Sequence, residues 1–188
     1  MSDRDTELML SFRAGDESSF RKLVLRNQGI VLNLAYRYLA DHADAEDVVQ
    51  EVFMKVYGAA DTYKPTAKFT TWVYRITVNA CLNRLRAARS RRSVSLDTSG
   101  ADGEPSGVPA EALPSNPSAR LERQELEAKV REAMDRLPES QRTAVLLRRF
   151  DELSYEEIAE VMETTVPAVK SLLARARQTL KSLLSKYL

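Results

Sequence analysis

A stretch of biased composition interrupts the chain and limits what it can fold into. Residues 93–118 contain six serines, four prolines and three glycines, and they carry four acidic residues but no lysine or arginine. A segment of this kind buries too little apolar surface to offset the entropy lost on folding. The sequence therefore predicts a flexible acidic linker at 93–118 between two small domains, residues 1–92 and 119–188.

Both predicted domains are expected to be helical. The chain has 188 residues, of which six are glycine, and its many leucine, alanine, glutamate and arginine residues favour helices. Apolar residues recur three and four positions apart on both sides of the linker, which is typical of amphipathic helices. We predict an all-α fold, with an N-terminal helical bundle and a C-terminal helix-turn-helix bundle.

Composition argues against several classes of function. The chain has one cysteine, Cys81, and one histidine, His42, so it has neither a disulfide framework nor a histidine- and cysteine-based metal site. It also lacks a nucleophile motif and a glycine-rich phosphate loop, so we expect no enzyme activity, metal, cofactor or small-molecule substrate. No apolar run reaches the roughly 18 residues of a membrane span. We expect no membrane insertion, no signal peptide and a cytoplasmic protein.

The formal net charge of +1 conceals blocks of opposite sign. Residues 41–61 carry six acids and one base, whereas residues 62–92 carry eight bases and no acid. Residues 119–163 carry twelve acids and eight bases, and residues 164–188 carry five bases and no acid. A single basic run is often only a solvated face. An acid-free basic block beside an acidic one in each domain favours nucleic-acid binding together with a second, basic partner.

Residues 153–177 predict two short helices joined by a turn. Ser154 and Glu157 have the spacing of a capping box, and either Thr165 or Val166 caps the second helix. Such a pair forms a helix-turn-helix, whose second helix can enter the major groove of DNA. The side chains expected to reach bases or phosphates are Thr164, Thr165, Lys170, Ser171, Arg175 and Arg177. The alternative is a helical hairpin with a solvated basic face.

Residues 44–57 predict a helix with one broad apolar face and Asp44 as its N-cap. The opposite side carries four residues that we call the docking face: Asp47, Gln50, Glu51 and Met54. This side is either ordinary solvated surface or a contact surface for a basic groove of another protein. In the second case, Met54 supplies an adaptable apolar contact.

The segment that follows combines aromatic, amide and basic side chains without any acid. Pro65 predicts a loop, and a helix is expected to begin near Thr70. The loop and one side of this helix carry Tyr63, Lys64, Lys68, Phe69, Trp72, Arg75, Asn79, Asn83 and Arg86. Rings can stack on unpaired bases while amides read base edges and cations hold phosphates, so this set suits single-stranded nucleic acid. The alternative places Phe69 and Trp72 in the core, and both remain open, with Trp72 expected to be partly buried.

The chain resembles the extracytoplasmic-function sigma factors, the two-domain branch of the sigma-70 family. Four segments carry the resemblance: DAEDVVQEVFMKVY, FTTWVYRITVNACLNRLR, LPESQRTAVLLRRFDELSYEEIAEVM and VKSLLARAR. They cover nearly all of the chain outside the linker, in the order typical of the family. The resemblance implies a sigma factor that binds core RNA polymerase, directs it to specific promoters and is commonly held inactive by an anti-sigma factor.

The resemblance also implies roles for both domains. Residues 1–92 would be the region 2 domain, whose docking face binds the clamp helices of the largest polymerase subunit. The loop and helix of residues 63–83 would melt DNA and capture the −10 element, which Asn79 and Asn83 would read. Residues 119–188 would be the region 4 domain, which reads the −35 element. The family usually has glycine in the helix-turn-helix turn, where this chain has Glu163.

Two other classes of function fit parts of the pattern. A stand-alone helix-turn-helix regulator would bind duplex DNA tightly without polymerase. A helical adaptor that binds only proteins would show no salt-sensitive affinity for DNA. The docking face and the aromatic, acid-free segment favour the sigma factor over both.

Overall fold

A computed structural model of the chain describes residues 3–94, 117–185 and 187. Across these residues it shows eight α-helices, one short 3-10 turn and no β-strand, so the predicted all-α fold is confirmed. None of the described helices is both long and apolar enough to cross a membrane. The helices fall into two compact units, Met1–Gly107 and Val108–Leu188. Most of the predicted linker, residues 95–116, lies outside the described residues.

The first unit is a bundle in which α2 contacts each of the other three helices. Its core includes the fully buried side chains of Met9, Leu23, Leu34 and Val52. The helices are α1 (Arg4–Arg13), α2 (Glu17–Leu39), α3 (His42–Gly58) and α4 (Phe69–Val94), with the 3-10 turn at Ala60–Thr62 after α3.

Polar contacts fix how α1 lies on α2. Asp5 is buried, and its carboxylate accepts hydrogen bonds from Arg26 Nε and, at 3.1 Å, from Asn27 Nδ2. A buried carboxylate is costly unless it is paired, so these contacts allow the first turn of α1 to pack against α2. Arg13 at the other end of α1 donates to the Tyr63 carbonyl oxygen at 3.1 Å. The N-terminal helix therefore also holds the loop that precedes α4.

The N-cap of α3 is Asp41, and the prediction of Asp44 was wrong. The Asp41 side chain accepts a hydrogen bond from the Asp44 backbone N–H at 2.8 Å, so the helix begins at His42. Either acid could cap a helix in this sequence, and Asp44 instead lies in the first turn, where the helix dipole also favours a negative charge. Of the seven apolar residues predicted to face inward, Ala45, Val48, Val52, Phe53 and Val56 are buried, whereas Val49 is partly exposed and Tyr57 is exposed.

The second unit is built around its last helix, which contacts each of the other three. The buried residues that join them include Ala144, Leu147, Ile158, Val169 and Ala176. The helices are α5 (Pro117–Asp135), α6 (Glu139–Arg149), α7 (Tyr155–Val161) and α8 (Val166–Leu184). Because α6 and α7 both pack on α8, the buried stripe of α8 is covered and its opposite side is left facing outward.

Candidate nucleic-acid and protein-docking surfaces

Helices α7 and α8 form the predicted helix-turn-helix. The Ser154 hydroxyl accepts from the Glu157 backbone N–H at 3.1 Å, and the Glu157 carboxylate accepts from the Ser154 N–H at 2.9 Å. The capping box is therefore confirmed. Thr165 is the N-cap of α8, since its hydroxyl accepts from the Ala168 N–H, and Pro167 lies in the first turn. Each helix start is therefore set by a hydroxyl side chain that accepts a hydrogen bond from the backbone N–H three residues further along the chain.

The turn between these helices uses a backbone conformation that favours glycine. Glu163 has a φ of 51° in the left-handed region, and the next residue, Thr164, donates its N–H to the Ala159 carbonyl oxygen at 2.9 Å. A residue with a Cβ adopts this conformation at a cost of roughly 1–2 kcal/mol. The turn therefore keeps its left-handed geometry although glycine is absent.

The predicted −35 residues lie at the start and along the outer side of α8. Thr164, Thr165, Lys170, Arg175 and Arg177 are exposed, and Ser171 is partly exposed. Arg175 Nη2 donates to the Ser171 hydroxyl at 2.8 Å, so these two side chains form one polar group on the helix surface. The Lys170 ammonium lies 5.8 Å from the centre of the Tyr155 ring, and the Arg148 guanidinium lies 5.2 Å from it. The Tyr155 ring thus contacts one cation from α6 and one from α8.

Beside this surface the second unit has an open groove of about 1190 Å³. Apolar side chains of α5 and α8, among them Val130, Met134, Leu173 and Leu180, line part of it. Its basic residues are Arg148, Arg149, Arg177 and Lys181. Sequence analysis assigned Arg177 to the DNA surface and did not predict the groove, because it forms only when α5, α6 and α8 come together.

Three rings at the start of α4 form a cluster. The ring centres of Tyr63 and Trp72 are 5.0 Å apart, and those of Phe69 and Trp72 are 5.8 Å apart. Phe69 is fully buried, Tyr63 is 5% exposed and Trp72 is partly exposed. Burial also raises the pKa of the Tyr63 hydroxyl. The core alternative is therefore correct for Phe69, and Tyr63 lies in the core as well, because the loop folds back on α4 and α1.

The other side chains of this segment reach the surface. Trp72, Arg75, Asn79, Asn83 and Arg86 lie three or four residues apart on one side of α4, with Trp72 and Arg75 partly exposed and the other three exposed. Lys64 and Lys68 are exposed on the preceding loop. Seven of the nine predicted residues are thus accessible, on the loop and along one side of α4.

The docking face forms a shallow concavity on the first unit. Asp47, Gln50, Glu51 and Met54 line a depression of about 490 Å³ together with Lys55 and Arg84. The Met54 side chain is prominent, with 76% of its surface exposed. The structure therefore brings the four predicted residues together, and it adds a basic residue from α4 that sequence analysis did not assign to this surface.

Arg84 links α4 to the acidic first turns of α3. Its Nη1 donates to Asp44 Oδ1 at 2.6 Å, and its Nη1 and Nη2 each donate to Asp47 Oδ2 at 3.3 Å. Partial burial lowers the pKa of Arg84, but the two carboxylates outweigh this effect and raise the pKa above its ordinary value. Arg84 belongs to the acid-free basic block of residues 62–92. Only the packing of α3 on α4 shows that its side chain faces the carboxylates of Asp44 and Asp47. In the part of the chain that the structure describes, no group of acidic, histidine or cysteine side chains has the arrangement of a metal site.

Comparison with known proteins identifies the family. Residues 23–91 match the family model for sigma-70 region 2, and residues 127–180 match that for sigma-70 region 4. RNA polymerase sigma-H factor of Pseudomonas aeruginosa is 38% identical over 187 residues, which cover 99% of this chain and 96% of that protein. ECF RNA polymerase sigma-E factor of Escherichia coli is 40% identical over 184 residues, which cover 96% of this chain and 95% of that protein. The chain belongs to the extracytoplasmic-function sigma factors.

Solved structures agree with this assignment. CnrH, whose structure was determined in complex with the cytosolic domain of CnrY, is 27% identical, with a TM-score of 0.69 and coverage of 98% of this chain and 99% of that one. The sigma factor RpoE of Bartonella quintana, determined in complex with the anti-sigma factor NepR, is 23% identical, with a TM-score of 0.66 and coverage of 88% and 96%. At that identity the second match supports the fold alone. As an extracytoplasmic-function sigma factor, the protein is a transcription initiation factor of RNA polymerase and not an enzyme.

Proposed function

We propose that this sigma factor acts in the cytoplasm, where it binds core RNA polymerase through the docking face, captures the −10 element through α4 and reads the −35 element through α8. It thereby directs the polymerase to specific promoters and helps to open the −10 region. The observation that carries the proposal is the clustering of Asp47, Gln50, Glu51 and Met54 in one exposed concavity of a chain that belongs to this family.

The docking face suits a basic partner that also makes an apolar contact. Asp47 and Glu51 supply carboxylates, Gln50 supplies both a donor and an acceptor, and the exposed Met54 can adapt to the shape of the partner. Charged groups of this kind at an interface set the rate and the specificity of association more than the affinity. Core polymerase would therefore be recognised by charge and shape together.

Capture of the −10 element falls to the accessible part of the 63–86 segment. The exposed part of the Trp72 ring offers a stacking surface, Asn79 and Asn83 can read base edges, and the cations of this segment can hold phosphates. Tyr63 and Phe69 are left out of this surface, because both rings are buried. Their role is to pack against the Trp72 ring and hold it in place.

Reading of the −35 element falls to the outer side of α8. Lys170 and Arg175 can reach guanine edges or phosphates, and Ser171 and the two threonines of the turn can bind the backbone. The left-handed turn at Glu163 sets the direction from which α8 enters the groove. We also include an anti-sigma factor among the partners, because members of this family are commonly held inactive by one and because CnrH was determined in complex with the cytosolic domain of another protein, CnrY.

Charge reversal on α3 tests the docking assignment. The variant Asp47→Lys/Glu51→Lys should lose most of its ability to compete with another sigma factor for core polymerase, because two attractive contacts become repulsive. The variant Glu46→Lys/Asp61→Lys makes the same change in charge outside the concavity and should compete as the unchanged protein does. Normal competition by the first variant would show that the docking face lies elsewhere.

Run-off transcription separates the sigma factor from the stand-alone regulator. The protein is added to core polymerase with a library of upstream regions, and the products are sequenced. Promoter-specific initiation that requires both proteins supports the proposal. Tight operator binding by the protein alone, with no association with core polymerase, would instead establish a regulator.

A further inference from the structure

Both acids of the docking face are already paired with bases of the same unit. Asp47 accepts from Arg84 at 3.3 Å, and Glu51 Oε1 accepts from Lys55 Nζ at 2.6 Å. Both acids nevertheless remain accessible, with 62% of the Asp47 side chain and 39% of the Glu51 side chain exposed. A partner that approaches this face meets two ion pairs rather than two bare carboxylates.

Arg84 is well placed to hold its acids because it reaches them from a neighbouring helix. Asn83 and Arg86 lie on the DNA side of α4, whereas Arg84 is turned toward α3 and has only 30% of its side chain exposed. Its guanidinium bridges Asp44 and Asp47, which lie one turn apart on α3. A cation supplied by a packed helix loses less conformational freedom on pairing than one on a flexible surface chain.

These two bases change the charge that the concavity presents. Among the residues that line it, Asp47 and Glu51 contribute two negative charges, and Lys55 and Arg84 return two positive charges, which leaves no net charge. The bases also lie within hydrogen-bond distance of the carboxylate oxygens that a partner would use. A diffuse polycation therefore gains little here, whereas a partner with cations at matching positions can replace both bases at once.

We propose that Arg84 and Lys55 are specificity-determining residues of the docking face, acting as internal counter-ions that a basic partner must displace. This inference rests on the proposed docking function of α3. The bases suppress association with unspecific cationic partners, and they make binding depend on the geometry of the partner's charges rather than on their number.

The test compares Arg84→Met and Lys55→Met with a matched control, Arg89→Met. The control removes one charge from an exposed position of α4 that does not line the concavity. Association rates and dissociation constants are measured for core polymerase and for a decalysine peptide, at low and at moderate salt. Thermal unfolding confirms that each variant is folded.

Arg84→Met and Lys55→Met should each associate with core polymerase about two- to five-fold faster at low salt, and they should bind decalysine more tightly by a similar factor. Arg89→Met should change neither value. The effect of Arg84→Met should vanish in an Asp44→Asn/Asp47→Asn background, because the two carboxylates that Arg84 neutralises are then absent.

Two results would overturn the inference. Weaker binding of core polymerase by Arg84→Met and Lys55→Met would show that these bases contact the partner directly. Unchanged binding of both core polymerase and decalysine would show that Arg84 and Lys55 do not compete with a partner's cations for the carboxylates. The decalysine measurement separates this inference from the proposed function. If core polymerase binds no form of the protein while decalysine binds the two variants more tightly, the docking proposal fails but the counter-ions stand.

Discussion

Arg175 lies on the outer side of α8, where its guanidinium donates to the Ser171 hydroxyl at 2.8 Å. That contact holds the side chain near the helix surface and leaves other N–H groups of the fork available to the proposed DNA partner. Arg175→Ala should weaken −35 recognition by about 1–3 kcal/mol, while binding to core polymerase stays unchanged. Binding of the assembled polymerase to a promoter fragment, followed by fluorescence anisotropy, measures the effect. Gln178→Ala, an exposed truncation on the same helix, serves as the control.

Asp16 is expected to make the stability of the first unit depend on pH. Its carboxylate caps α2 and accepts from the Ser19 hydroxyl at 2.6 Å and the Ser18 hydroxyl at 2.7 Å. These hydrogen bonds lower its pKa from 3.8 to about 2. Because the folded pKa lies below the unfolded one, the contribution is complete above the unfolded value and disappears as the pH falls through about 2.

Replacing this acid by an amide tests the assignment. Asp16→Asn keeps a capping oxygen but cannot titrate, so its Tm should fall less than that of the unchanged protein between about pH 4 and pH 2. Thermal unfolding of both proteins across this range gives the difference. Parallel curves would mean that Asp16 does not titrate with a lowered pKa.

For single residues, the sequence predicts which chemical groups a segment carries better than whether each side chain points into the core or toward solvent. In the segment before and within α4, aromatic residues are interspersed with basic residues in the sequence. The amide and basic side chains of this segment are accessible, as the pattern predicted. It could not show that Phe69 and Tyr63 turn inward, because this depends on how the loop folds against α1. It could not assign Arg84 to the docking face either, since its partners are 37 and 40 residues away along the chain.

At the scale of elements, the turn before α8 carries a backbone strain that mutation can release. Glu163→Gly should stabilise the second unit by roughly 0.5–1 kcal/mol, since glycine adopts the left-handed conformation without a Cβ clash, although it gains entropy in the unfolded chain. Glu163→Ala is the matched comparison, because it removes the same side chain but keeps the Cβ. Chemical denaturation measures both, and a glycine variant no more stable than the alanine variant would contradict the prediction.

Element boundaries were predictable where the signals are local. The capping box of α7 and the Thr165 cap of α8 depend on residues three positions apart; the first was predicted, and the second was one of the two alternatives, Thr165 or Val166. The start of α3 was misplaced because two acids precede the same apolar run and both suit the positive end of a helix. The groove among α5, α6 and α8 could not be foreseen, since no local pattern records which faces meet.

At the scale of the whole molecule, the two units are expected to fold independently. We predict that residues 1–92 and residues 119–188, produced separately, each give a helical circular dichroism spectrum and a cooperative thermal transition, since each unit contains its own buried core. Mixing the fragments should leave both transitions unchanged. A fragment that unfolds without cooperativity would show that its core is incomplete.

The buried thiol of Cys81 has a practical consequence for studying this molecule. The side chain is fully inaccessible, and burial raises its pKa to about 12, so the thiolate that reacts with maleimides is scarce at neutral pH. Because Cys81 is the sole native cysteine, new cysteines at exposed sites such as Gln28 and Ser182 can be labelled with fluorophores without first removing it. Energy transfer between such dyes would then follow both halves of one molecule as a promoter is engaged and released.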